Sequence, residues 1–156
     1  MTIDVWKPRF VIPKALREAT ASLMIPDPWF RKDVTVDMVR VAGIRCLLSD
    51  GFCDWHDDLH IDQQWSLIFV LRNDRGSYAM SRGAKVVRDQ PAGTAILLDI
   101  HHEHKLGHRS GKNCLPGVWC GMCLDLKKPP KTRRDCEALI RAEFVSKNLT
   151  KEKISA

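Results

Sequence analysis

The stretch Trp65-Ser66-Leu67-Ile68-Phe69-Val70-Leu71 constrains the fold more than any other part of the chain. It is apolar at nearly every position, short for a core helix, and closed by Asn73-Asp74-Arg75-Gly76. An apolar run of that length between turn residues reads as a buried strand. Thr94–Ile100, which follows the turn Pro91-Ala92-Gly93, and Gly117–Leu126 read the same way. Ser77–Met80 and Ala84–Arg88 read as shorter strands. Short strands separated by turns predict an all-β sandwich or barrel rather than alternating βαβ units.

The flanks differ in character. With 156 residues the chain has the length of one domain. Pro8, Pro13, Pro26 and Pro28 make the start an irregular arm, with a short helix over Lys14–Leu23 stopped by Ile25-Pro26-Asp27-Pro28. Residues 35–48 read as a helix, because Met38, Val41, Ala42 and Cys46 share one helical face before Asp50-Gly51 ends it. After Pro129-Pro130, Thr132 and Asp135 begin a helix over 133–146 whose stripe is Cys136, Leu139, Ile140 and Phe144. The expected plan is a single domain: arm and helix over 1–51, β core over 52–126, basic helix and tail over 127–156.

No apolar run approaches the ~18 residues of a membrane helix. The segment Met1–Pro8 has an early acid and no apolar region of a leader, so a cytoplasmic protein without a membrane partner is expected. In that compartment the six cysteines are free thiols or metal ligands. Cys46, Cys53, Cys114 and Cys136 read as small core residues. Cys120-Gly-Met-Cys123 has the spacing of a zinc half-site, but residues three apart on a strand point to opposite faces, and no second such pair follows. The net charge of +6 is uneven: residues 127–156 hold nine Lys/Arg against four Asp/Glu, the rest sixteen against fifteen. The basic segment reads as a solvated helix and end, with nucleic acid as the alternative partner.

The histidines carry the chemistry. Four lie in His101-His102-Glu103-His104-Lys105-Leu106-Gly107-His108. His56 and His60 lie in a stretch holding Asp50, Asp54, Asp57, Asp58 and Asp62 with no Lys or Arg. Acids at that density repel one another unless a cation sits nearby. On an extended chain His56 and Asp58 share a face. A third ligand from another strand would complete the two-histidine, one-carboxylate set of mononuclear Fe(II) sites.

On these residues the chain resembles the Fe(II)- and 2-oxoglutarate-dependent dioxygenases with a double-stranded β-helix. His56-Asp57-Asp58 corresponds to the family's His-X-Asp, and Gly93-Thr-Ala-Ile-Leu-Leu-Asp99 looks like its strand before the distal histidine. The resemblance covers residues 52–126, about half the chain. It implies a mainly β double-stranded β-helix (jelly roll) with flanking N-terminal and C-terminal helices. It also implies Fe(II) held by His56, Asp58 and a distal histidine, with 2-oxoglutarate and dioxygen as co-substrates. His104, 48 residues past His56, is the favoured distal ligand, with His102 second and His101 and His108 as alternatives. Lys112 is the expected anchor for the far carboxylate of 2-oxoglutarate, with Arg109 next. The implied reaction is hydroxylation of an unspecified substrate. The rival readings are a cupin-like metal protein without 2-oxoglutarate, a zinc-stabilised nucleic-acid-binding module, and a protein-binding fold without turnover. Trp55, Trp65 and Trp119 read as packing residues, with Trp55 alternatively bordering a pocket, and Tyr78 as a half-buried strand residue.

Overall fold

The computed structural model describes residues 1–25, 36–108 and 117–150, and is mainly β. A six-stranded antiparallel sheet has the order β1-β7-β5-β9-β3-β2, and a three-stranded antiparallel sheet the order β4-β8-β6. The strands are β1 (Ile3–Trp6), β2 (Val36–Val41), β3 (Ile44–Ser49), β4 (Cys53–His56), β5 (Trp65–Asn73), β6 (Tyr78–Ser81), β7 (Ala95–Asp99), β8 (His104–Gly107) and β9 (Trp119–Leu126). Two helices, α1 (Lys14–Ala21) and α2 (Arg133–Ser146), complete the described elements. Neither helix is long and apolar enough to cross a membrane.

β5 lies inside the larger sheet, between β7 and β9, and both of its faces are covered. That is why it reads as an unbroken apolar run rather than an alternation. Leu67, Phe69 and Leu71 face an outer core with Leu16 of α1 and Cys136, Ile140 and Phe144 of α2. Phe69, Phe144 and Phe10 stack there with ring centroids 5.3–6.2 Å apart. Ile68 and Val70 face the smaller sheet, in a second cluster with Ile96, Leu98, Leu106 and Trp119. At roughly 1.5–3 kcal/mol per fully buried large apolar side chain, these two layers dominate the stabilisation. Helix α2 starts as its sequence predicts: the Asp135 N–H donates to the Thr132 hydroxyl at 3.1 Å. Leu139 departs from the expected stripe and stays 38% exposed.

Three expectations are corrected. Residues 35–48 are not a helix: within the described residues they form the hairpin β2–β3, with Val41 opposite Ile44. Its two-residue turn is Ala42-Gly43, at φ 49° and 80°. Positive φ at both central residues is the reversal that matches strand twist. Strand alternation then turns Cys46 and Leu48 to the core and Arg45 and Leu47 to the other face. The N-terminal arm contains a strand, since β1 pairs with β7 from Ile3↔Leu98 to Trp6↔Ala95. Ala84–Arg88 is not a strand. The free edge of β6 is met instead by the Gln90 side chain, which accepts from the Ala79 N–H at 2.8 Å and donates to the Ala79 carbonyl at 3.0 Å. One buried amide thus does the pairing a backbone would do, which removes the need for a ladder.

Candidate metal centre

His56 ends β4 and His104 begins β8, and the two are cross-strand partners with ring centroids 4.3 Å apart. Beyond β4 the chain is held by the Asp58 N–H, which donates to the Ile100 carbonyl at 2.8 Å. This turns the Asp58 carboxylate to the histidines: Oδ2 lies 3.1 Å from His104 Nε2 and 3.7 Å from His56 Nε2. One ligand atom from each of the three residues lies within 4.8 Å of the others.

The hydrogen bonds behind the rings set the tautomers. His56 Nδ1 is 2.8 Å from the Asp54 carbonyl, and His104 Nδ1 is 2.7 Å from the His102 carbonyl. A carbonyl only accepts, so each Nδ1 carries a proton. Each Nε2 is then the atom left to face a metal, with the carbonyl acting as the orienting partner. Two imidazole nitrogens and a carboxylate oxygen suit Fe(II) and other divalent first-row ions. In the metal-free chain protons hold these ligands together, and a bound cation would displace them. The hydrogen bond from His104 holds the Asp58 carboxyl below its ordinary range, against burial. The adjoining Cys53 sulfur, 3.5 Å from His56 Nδ1, pushes His56 up to about 9, with the Asp54 carbonyl adding to it and burial opposing.

The three residues line one side of a cavity of about 480 Å³ between the sheets, the size range of small-molecule sites. Leu47, Ile68, Leu98 and Trp119 form an apolar wall opposite. Beside that wall sits a polar group that sequence reasoning missed: Arg45, Ser66, Cys123 and Asp125. Arg45 was hidden by the helical reading of 35–48, although alternation along a strand would have set it opposite Cys46.

His101 and His102 point their Nε2 atoms at the carbonyls of Ile61 (2.6 Å) and Arg82 (2.7 Å), away from Asp58. His108 packs against Phe52, and burial lowers its pKa. His104 is thus the histidine that joins His56 and Asp58. Lys112, Arg109 and Cys114 lie outside the described residues. Cys46, Cys120 and Cys136 are buried in the outer core, whereas Cys123 lines the cavity, so Cys120 and Cys123 cannot clasp one ion. Cys53 is not a core residue; it is partly exposed and borders the cavity. Trp65 and Trp119 are buried. Trp55 does not line the cavity and instead lies under the Arg82 guanidinium (4.4 Å) and Lys105 ammonium (5.3 Å). In the basic segment, Arg133 pairs with Asp4 at 2.7 Å and Arg141 lies over Phe10, so part of its charge is spent on packing.

No protein-family model matches the chain, and no curated protein or solved structure matches it. The geometry therefore carries the functional argument alone.

Proposed function

We propose that the chain is an Fe(II)- and 2-oxoglutarate-dependent oxygenase on a double-stranded β-helix. The observation that carries this reading is the convergence of His56, Asp58 and His104 on one point at the wall of a cavity between two sheets. The strand order supports the fold part. β3-β9-β5-β7 opposes β4-β8-β6, so successive strands from β3 to β9 alternate largely between the sheets, as they do when a hairpin winds into a jelly roll. The two-histidine, one-carboxylate set supports iron, because it leaves coordination positions open.

With iron bound, the site would couple oxidation of 2-oxoglutarate by dioxygen, giving succinate and CO2, to insertion of the other oxygen atom into a substrate C–H bond. The chain's own residues have simpler tasks. The Asp54 and His102 carbonyls keep both Nδ1 atoms protonated, so Nε2 is the atom of each ring that would give up its proton and bind the metal. The Ile100 carbonyl fixes the backbone that carries Asp58. Ile68, Leu98 and Trp119 keep water from the space where oxidation would occur. By resemblance, Lys112 or Arg109 anchors the far carboxylate of the co-substrate as a fixed cation.

The test is succinate formation from 2-oxoglutarate by anaerobically iron-loaded protein after admission of air. Succinate above the level of a His104→Ala control supports the reading. Iron binding without succinate would leave the cupin-like alternative in its place.

A further inference from the structure

The polar group beside the apolar wall stands apart from the convergent set of His56, Asp58 and His104. Arg45 Nη1 lies 2.8 Å from Asp125 Oδ2 and 3.7 Å from Cys123 Sγ. The Cys123 thiol donates to Asp125 Oδ1 at 3.4 Å and sits 3.0 Å from the Ser66 hydroxyl. Arg45 and Asp125 retain 42% and 24% side-chain exposure, so both stay open to the cavity.

The geometry of this pair is unusual in what it leaves over. A guanidinium and a carboxylate normally meet fork to fork, through two parallel bonds. Here the second carboxylate oxygen faces the thiol, and the ion pair is single. Arg45 Nε and Nη2 make no hydrogen bond with a described residue. One planar N–H edge of the guanidinium is therefore available to another carboxylate. Asp125 has lone pairs left, since each carboxylate accepts up to about four hydrogen bonds. Nor does the arrangement serve stability strongly, because exposed ion pairs contribute only about 0–1 kcal/mol.

Charge balance selects the ligand. A lone cation would attract any anion, but Asp125 already cancels the charge of Arg45; Asp37 also lines this cavity, and Lys105, which lines it too, holds its ammonium over Trp55, outside the lining. A ligand bringing only a carboxylate would face two acids. A ligand bringing a carboxylate and an adjacent ammonium would pair with both members and leave no ion unmatched. Its remainder would lie along Leu47, Ile68, Leu98 and Trp119, toward His56, Asp58 and His104.

We infer that the Arg45–Asp125 pair is a recognition site for the zwitterionic head of a free α-amino acid with an apolar side chain. The carboxylate meets Arg45 and the ammonium meets Asp125. This deepens the oxygenase reading by naming its substrate class, and rests on it for the chemistry at the metal. The binding itself needs neither metal nor co-substrate, so the two stand or fall separately.

The experiment is calorimetric titration of the metal-free full chain with the standard apolar α-amino acids and norleucine. Hexanoate, lacking the ammonium, and hexylamine, lacking the carboxylate, are the matched probes. At least one amino acid should bind, and where norleucine binds, each matched probe should be weaker by about tenfold or more, the loss of one charged hydrogen bond. Arg45→Gln and Asp125→Asn should each weaken the amino acid about 10- to 100-fold while anaerobic Fe(II) affinity is retained. In Asp125→Asn the preference for norleucine over hexanoate should disappear. Hexanoate binding as tightly as norleucine to the wild type, or no amino acid binding at millimolar concentration, overturns the inference without any variant. Loss of Fe(II) binding or succinate formation with amino-acid binding intact would instead count against the oxygenase reading.

Discussion

At Gly121 the β9 backbone closely approaches Ile68 and Trp119 of the cavity wall. A β-carbon built there would lie 2.8 Å from Ile68 Cγ2 and 2.8 Å from Trp119 Cη2. Ile68 is 4% exposed and Trp119 3%, so neither side chain can swing into solvent. Two effects compete in Gly121→Ala. Restricting the unfolded chain stabilises by about 0.4–1 kcal/mol. Forcing a methyl group into a filled core costs about 1–3 kcal/mol. The second effect wins modestly for alanine. Gly121→Val adds two more methyl groups in the same space and should lose more. For a domain of this size about 1 kcal/mol lowers Tm by about 2–4 °C. Alanine should therefore lower it by a few degrees and valine by clearly more, measured by thermal unfolding at fixed pH without metal. Chemical denaturation should show a lower midpoint with unchanged slope. If the valine variant is as stable as the wild type, Trp119 and Ile68 do not close that wall, and the cavity has a different shape.

Three further perturbations probe other parts of the account. Ala42, exposed at φ 49°, is a strained turn residue, so Ala42→Gly should raise stability by about 1 kcal/mol; a loss in urea unfolding would contradict the hairpin. Burial pushes the Cys123 thiol up to about 12, above the ~8.5 of an unfolded chain. The folded state therefore keeps that proton longer: its contribution is complete below about pH 8.5 and falls as pH climbs toward 12. Cys123→Ala should lose about 1–2 kcal/mol less than wild type between pH 8.5 and 10.5, and parallel alkaline losses would refute the assignment. Lys112→Ala should raise the KM for 2-oxoglutarate by about 10- to 100-fold with Fe(II) affinity retained, and an unchanged KM would remove Lys112 as the anchor.

The legible parts of the fold were those where one face or both faces of a segment have a uniform fate. β5, β7 and β9 are buried enough to read as apolar runs, and α2 carries its own cap in Thr132. The hairpin β2–β3 was illegible because Val and Ile at mixed spacings fit both periods, and its turn is Ala-Gly rather than Asn-Gly. β1 was hidden by neighbouring prolines: its stability comes from β7, whose paired residues lie 89–95 positions away in the chain, and no local signal reports such a partner. Ala84–Arg88 failed for the opposite reason, since the valines suit a strand but Gln90 takes the pairing. At the site, the His56-X-Asp58 pair was readable but its cause was not: β4 ends at His56, and the bond from the Asp58 N–H to the Ile100 carbonyl, rather than strand alternation, turns the carboxylate to the histidines. The choice among four clustered histidines was made by carbonyl partners of His101 and His102, which spacing cannot reveal. Arg45, Cys123 and Asp125 come from strands that meet only in the sheet, so their association is a tertiary fact.

Anaerobic Fe(II) titration of the wild type and of His56→Ala, Asp58→Ala and His104→Ala tests the central claim most directly. The wild type should bind one equivalent of iron. Each variant should bind at least ~10-fold more weakly while its circular dichroism stays β-rich, because two ligands alone make a poor site. Because the ligands are an acid and two imidazoles, binding should release protons, which the same titration in buffers of different ionisation enthalpy would detect. Undiminished iron affinity in any one of the three variants would contradict the account, since that residue would then not be a ligand.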